Sequence, residues 1–165
     1  MNSLTVLETG DGNIAGMIAR KVRELPENNT ARGLTFLGST LLQSGYCPDL
    51  LVVSGERGRR REQIPKGRCG ILLVPGTAAD MTATLRSSCV ISYGMSKKDS
   101  VTLSSIDEDS LVLSLQRELP TLQGRPLERQ DIPVRCFPGG KADDVMASVA
   151  ALLLLGVPPE ELGKR

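Results

Sequence analysis

The run Asp49-Leu50-Leu51-Val52-Val53-Ser54-Gly55 constrains this chain more than any other stretch. Four apolar residues follow one another without alternation, between residues that favour turns. A strand of that kind meets water on neither face, which is the pattern of a buried strand in a parallel sheet. Residues 70–74 and 89–93 repeat it, and residues 4–7 give a shorter version at the start of the chain. Parallel neighbours cannot be joined by a tight hairpin; they need a crossover of a dozen or more residues, usually a helix.

The sequence between these runs changes to helical spacing. Ile14, Met17, Ile18, Val22 and Leu25 fall on one helix face, Arg20, Lys21, Arg23 and Glu24 take the wet side, and Pro26 stops the helix. Residues 27–32 read as a polar loop. A second helix is expected over residues 34–43, ended by Ser44-Gly45. A third opens at Thr77, with Asp80 near the capping-box position, and runs through Met81 and Leu85 to about Ser87. Residues 56–67 are charged and read as an exposed loop.

After Gly94 the texture alternates. Residues 100–106 and 111–116 have the period of half-exposed antiparallel strands, with Asp107-Glu108-Asp109 as the turn and residues 132–137 as a further strand. Beyond Pro138-Gly139-Gly140 a long helix turns Val145, Met146, Val149, Leu152 and Leu153 inward. Gly156 ends it, and Pro158-Pro159 opens a last helical turn. The expected fold is one α/β domain spanning residues 1–165. It has three layers: a mostly parallel sheet with helices on both faces, P-loop or Rossmann-like, and an antiparallel meander at one edge.

Composition narrows the function classes. The chain has 165 residues, a formal net charge of +1 and no histidine. Without a global field there is nothing to gather nucleic acid or anionic lipid. Phe36, Tyr46, Tyr93 and Phe137 are the whole aromatic complement, too few for a base-stacking platform. Neither a Ser-His-Asp nor a Cys-His arrangement can be assembled. Cys47, Cys69, Cys89 and Cys136 are widely spaced, which argues against a zinc site or a disulfide framework and for buried, reduced thiols. No apolar run reaches membrane-spanning length, and residues 149–155 are too short for one. The N-terminus has no basic region followed by an apolar stretch, so a cytoplasmic setting is expected.

The candidate site follows the first strand. Thr9, Gly10, Asp11, Gly12, Asn13 and Ile14 form a glycine turn into a helix start, where backbone N–H groups and the helix dipole can hold a phosphate. Such a loop normally carries a lysine and a hydroxyl for magnesium; Asn13 and Ile14 stand there instead, and Asp11 adds a negative charge. The turn is therefore either a relic strand-to-helix connection or a weak site for phosphate, ATP or ADP. Arg57, Arg59, Arg60 and Arg61 follow a buried strand at the edge where open α/β sheets bind ligands. They are anion contacts, a surface for an acidic partner or, flanked by Glu56 and Glu62, a solvated loop. Asp143 and Asp144 read as paired carboxylates with Asp80 or Glu8, or as favourable charges at a helix N-terminus.

The order of these motifs resembles the central, ATP-binding domain of the Mur ligase family. Thr9-Gly10-Asp11-Gly12-Asn13-Ile14 matches its phosphate loop in position, and Pro48-Asp49-Leu50-Leu51-Val52-Val53 is similar to its P-D-x-a-V-x strand. Ile64-Pro65-Lys66-Gly67 leading into Ile71-Leu72-Leu73-Val74 is similar to its i-p-x-G-G strand. Val90-Ile91-Ser92-Tyr93-Gly94 resembles its (T/S)-(Y/F)-G strand end, and Leu154-Leu155-Gly156-Val157-Pro158-Pro159-Glu160-Glu161 its L-G-(I/V)-x-x-E helix ending. The family's loop lysine, its metal-binding hydroxyl and the His-Asn pair before the last helix have no counterparts, and its substrate and ligase domains are missing from this sequence. The resemblance therefore implies a non-catalytic Mur-ligase-like protein with no catalytic residue, no metal and no resident cofactor. Its expected partner is a protein, either a second copy or a neighbour in cell-wall or amino-acid-polymer synthesis. The alternative is a small nucleotide- or phosphate-binding domain.

Overall fold

A computed structural model describes residues 2–8, 13–33, 35–39, 45–55, 66–78, 84–135 and 140–164. They build the strands β1 (Ser3–Leu7), β2 (Thr35–Ser39), β3 (Leu50–Val53), β4 (Gly67–Pro75), β5 (Leu85–Gly94), β6 (Val101–Ile106), β7 (Ser110–Leu115) and β8 (Asp131–Arg135). The helices are α1 (Ile14–Glu24), α2 (Ala142–Leu154) and α3 (Pro159–Leu162), with a 3-10 turn over Thr30–Gly33. The strands form one sheet in the order β2-β1-β3-β4-β5-β6-β7-β8. Strands β1 to β6 run parallel, and β7 and β8 complete an antiparallel edge. The protein is thus α/β with a mostly parallel sheet and the expected late meander.

The parallel runs form strands because their apolar residues are buried on both sides. On one face Leu4, Val6, Leu50, Val52, Ile71, Leu73, Ile91 and Tyr93 join the main core with Ile14, Met17 and Ile18 of α1 and nearly all of α2. On the other, Leu7, Leu51, Val53, Leu72 and Val74 form a smaller cluster. Among the described residues every helix contributes to the first face. Helix α2 crosses β3 to β6 and packs on α1, and α3 lies against β8. Residues 116–130 close over the far end of α2, where the Leu122 N–H donates to the Leu154 carbonyl at 2.8 Å.

Two expected helices are corrected. Residues 35–39 are not helical but form β2, in parallel register with β1 from Ser3↔Thr35 to Leu7↔Ser39. Thr35 and Phe36 are weak helix formers, and Gly38 costs a helix about 1 kcal/mol. The open edge of β1 offers those residues a full ladder instead. The helix expected from Thr77 to about Ser87 also fails at its end: Leu85, Arg86 and Ser87 begin β5, paired with Gly67, Arg68 and Cys69 of β4. Residues 76–78 make a single 3-10 turn; Asp80 and Met81 lie outside the described residues. Helical spacing over so short a span cannot be told from a strand with one face bare.

Thr5 sits in the middle of β1 with no exposed surface, in register with Leu51 of the smaller cluster. Its hydroxyl is buried with no hydrogen-bond partner among the described residues. An unmet buried hydroxyl is costly, and valine has nearly the same shape without it. Thr5→Val should therefore stabilise the protein by about 1 kcal/mol. The check is a urea titration with a raised midpoint and an unchanged slope; a lowered midpoint would mean that the hydroxyl has a partner.

Candidate functional site

In the order β2-β1-β3-β4-β5 the chain leaves β1 in opposite directions, so a crevice opens between the carboxyl ends of β1 and β3. Open α/β sheets bind ligands at such a switch point. The two strands are tied there by the Ser54 N–H, which donates to the Leu7 carbonyl at 2.9 Å.

The first residue past β1 is Glu8, and its carboxylate occupies the start of α1. Oε2 accepts the Ile14 N–H at 2.8 Å and Oε1 accepts the Ala15 N–H at 3.3 Å. Asn13 precedes the helix but makes no side-chain cap. Glu8 therefore does what a bound anion would do at a helix N-terminus. Of the expected phosphate-loop residues, Asn13 is exposed and Ile14 buries its side chain completely in the core. Thr9, Gly10, Asp11 and Gly12 lie outside the described residues, as do Arg57, Arg59, Arg60 and Arg61.

More carboxylates gather at the same edge of the sheet. Asp143 and Asp144 stand in the first turn of α2, the helix-dipole role read from the sequence. Asp144 faces Glu8 closely enough to raise its pKa. Tyr93, buried at the end of β5, donates its hydroxyl to the Val53 carbonyl at 2.7 Å and so bridges β5 to β3. Burial pushes its pKa up, and Asp143 and Asp144 push it further, so the phenol stays protonated. Asp99 is 6 % exposed, and its Oδ2 accepts the Ser96 N–H at 3.1 Å. The carboxylate lies directly over Gly76 and Gly94, where a Cβ on either residue would overlap it. Close approach, not turn geometry, is why glycine follows Tyr93. Tyr93, Lys98, Asp99 and Asp143 share an open cleft of about 410 Å³ with Thr77 and Met95.

This arrangement can neutralise helix ends and hold a donor or a cation. Among the described residues no group of three or more His, Cys, Asp or Glu side chains is placed to hold a metal. The sequence pointed to the glycine turn and carried no sign that Glu8 caps the helix behind it, because the two partners stand six residues apart with no periodic relation. Asp99 lay within a polar stretch with no periodic signal.

Among the described residues Cys47, Cys69 and Cys89 are free thiols, unequally placed. Cys69 is buried, as expected, and burial pushes its pKa up to about 12. Cys47 is exposed, which corrects the expectation of uniformly buried cysteines: it lies in the polar approach to β3, before the apolar run begins. Cys136 lies outside the described residues. Iodoacetamide near pH 8 should modify Cys47 within minutes and leave Cys69 intact until denaturant is added, read by peptide mass spectrometry; labelling of Cys69 in the folded protein would contradict its burial.

Glu8 also makes a pH prediction. Its pKa is raised above 4.5, chiefly by burial and further by Asp144, which together outweigh the two backbone hydrogen bonds that lower it. The folded state thus holds this proton more tightly than the unfolded chain. The resulting stability is present in full below the ordinary value and is lost as pH rises through the raised one. Glu8→Gln has no such slope. The stability of the natural protein minus that of the variant should fall as pH rises above about 4.5 in matched urea titrations. A difference that rises with pH would show that the helix amides win over burial.

No protein-family model matches this sequence, and no curated protein matches it either.

Proposed function

We propose that this chain is a non-catalytic, Mur-ligase-like domain that works by binding a protein partner, in cell-wall or amino-acid-polymer synthesis. The observation that carries the reading is the Glu8 carboxylate on the Ile14 and Ala15 N–H groups. A nucleotide phosphate would need those same amides. To reach them it would have to displace a carboxylate and then sit beside Asp144, without the lysine and hydroxyl that phosphate loops supply. We read the domain as the three-layer, Rossmann-like arrangement of that family's central domain. The parallel order β2-β1-β3-β4-β5 and the buried second face of β1, β3 and β4 support this. A cytoplasmic protein with reduced thiols fits the same reading.

The competing reading is a small nucleotide- or phosphate-binding domain that uses residues 9–14 and the arginines at 57 and 59–61. It draws support from the crevice at the β1–β3 switch point.

Thermal unfolding with and without millimolar ATP or ADP and magnesium separates the two. Ligand at about a hundred times its dissociation constant stabilises a protein by roughly 2.7 kcal/mol, or about 5–10 °C for a chain of this size. The expected result is no shift with either nucleotide. A shift of that size would overturn the partner-binding reading in favour of the nucleotide-binding one. ATP-dependent ligation by the isolated chain would overturn both.

A further inference from the structure

Two charged surfaces lie at opposite ends of the sheet. Where the chain enters β4 and β5, Lys66, Arg68 and Arg86 line an open cleft of about 540 Å³. Arg68 and Arg86 are register partners on adjacent parallel strands, so both side chains leave the same face about 5 Å apart. Like charges placed so work against strand pairing. All three cations are exposed, and among the described residues none forms a salt bridge. The Asp49 carboxylate nearby is already taken by the backbone N–H and the hydroxyl of Ser3.

At the other end, the turn between β6 and β7 carries Asp107, Glu108 and Asp109, all exposed, next to Ile106 at 60 % exposure. Among the described residues these acids form no salt bridge either. Arg135, in register with Ser110, is a cation beside the turn and leaves it unpaired. β5 passes its direction to β6 through the Tyr93↔Val101 register. The distance from Arg86 to Asp107 along the strands is therefore about 40 Å. That is several Debye lengths at physiological salt, so the two patches do not neutralise each other within one chain.

We propose that the acidic β6–β7 turn of one copy docks, head to tail, on the basic entry of β4 and β5 of another. This rests on the partner-binding reading and names the partner as a second copy of this chain. The complementary surface is present in the same molecule, with acids matching cations in number. A nucleic acid fits less well: among the described residues no aromatic side chain lines the cleft for stacking, and a net charge of +1 supplies no wider field. Because different surfaces meet, the contact is heterologous and either closes into a ring or extends into a chain. Exposed ion pairs are individually weak and screened by salt, so the association is transient and salt-sensitive.

The test is sedimentation velocity on the whole chain up to about 1 mM, at about 20 mM and about 500 mM salt. The expected result is a weight-average mass that climbs with concentration above 17.7 kDa in low salt and returns to it in high salt. Arg68→Glu with Arg86→Glu should abolish the climb, and so should Asp107→Lys with Glu108→Lys and Asp109→Lys. An equimolar mixture of the two variants should restore it, which also shows that both are folded. A constant mass at low salt, or reversals without effect, would overturn the contact. A monomer whose basic cleft instead binds polyphosphate, lost in the Arg68→Glu, Arg86→Glu variant, would overturn it and assign the cleft to a free anion. A nucleotide-induced thermal shift would instead remove the partner-binding reading underneath.

Discussion

Helix α2 cannot tolerate water on any side, and most of the fold is arranged around that requirement. Every residue from Val145 to Leu154 is buried. A helix apolar all round is stable only when it is enclosed. The sheet covers one side and α1 another, while residues 116–130 fold back over its end. There the Gln123 side chain donates to the Leu155 carbonyl and the Val157 N–H returns to the Leu152 carbonyl. Gly156, at φ 90°, makes that reversal where an L side chain would be strained and would also collide with Gln123. Each buried Leu or Val contributes about 1.5–3 kcal/mol. A helix of thirteen residues, most of them apolar, therefore dictates which face of the sheet becomes the main core.

The same packing sets the character of the carboxyl edge. α1 and α2 pack side by side on one face, and both start at this edge: Glu8, just past β1, caps α1, and Asp143 of α2 lies beside Gly55, just past β3. Both helix starts require negative charge. α1 takes it from Glu8 and α2 from Asp143 and Asp144, so protein carboxylates crowd the helix starts, where a bound anion would otherwise sit. Burial, with a further push from Asp144, raises the pKa of Glu8 there. Once a chain has met its helix-end requirement internally, a phosphate brings no unmet N–H any benefit and adds repulsion. Asn13 brings no positive charge to this helix start, and Glu8 already occupies its first free amides.

The strands were legible in the sequence where burial erased alternation, as at residues 50–53 and 70–74, or enforced it, as at residues 110–115. The last helix was legible because its apolar content is extreme. The failures fall where the chain is locally ambiguous. Residues 35–39 hold a phenylalanine, a leucine and a glycine at spacings that suit either element, and only the open edge of β1 decides for a strand. Leu85 looked like the last apolar residue of a helix because Arg86, Ser87 and Ser88 after it are polar. In the sheet those residues belong to a stretch of β5 with one face bare. At the site, backbone-to-carboxylate capping between residues six apart leaves no periodic trace, so Glu8 and Asp99 became visible only in three dimensions.

That bare face explains why the sheet changes direction where it does. With α2 committed to one side, the opposite side of β5 to β8 carries Val90, Ser92, Ser114 and Pro133, and it can face water only if the strands alternate. Antiparallel pairing allows this without further helices. The face is held by polar contacts instead: Gln116 donates to the Thr102 and Ser114 hydroxyls, and Ser92 and Ser100 exchange backbone-to-hydroxyl bonds. Pro133 in the edge strand β8 has no N–H to offer an added strand, which guards that edge against open-ended sheet growth. Lateral addition at β8 is disfavoured by the backbone, while both charged surfaces lie at strand ends.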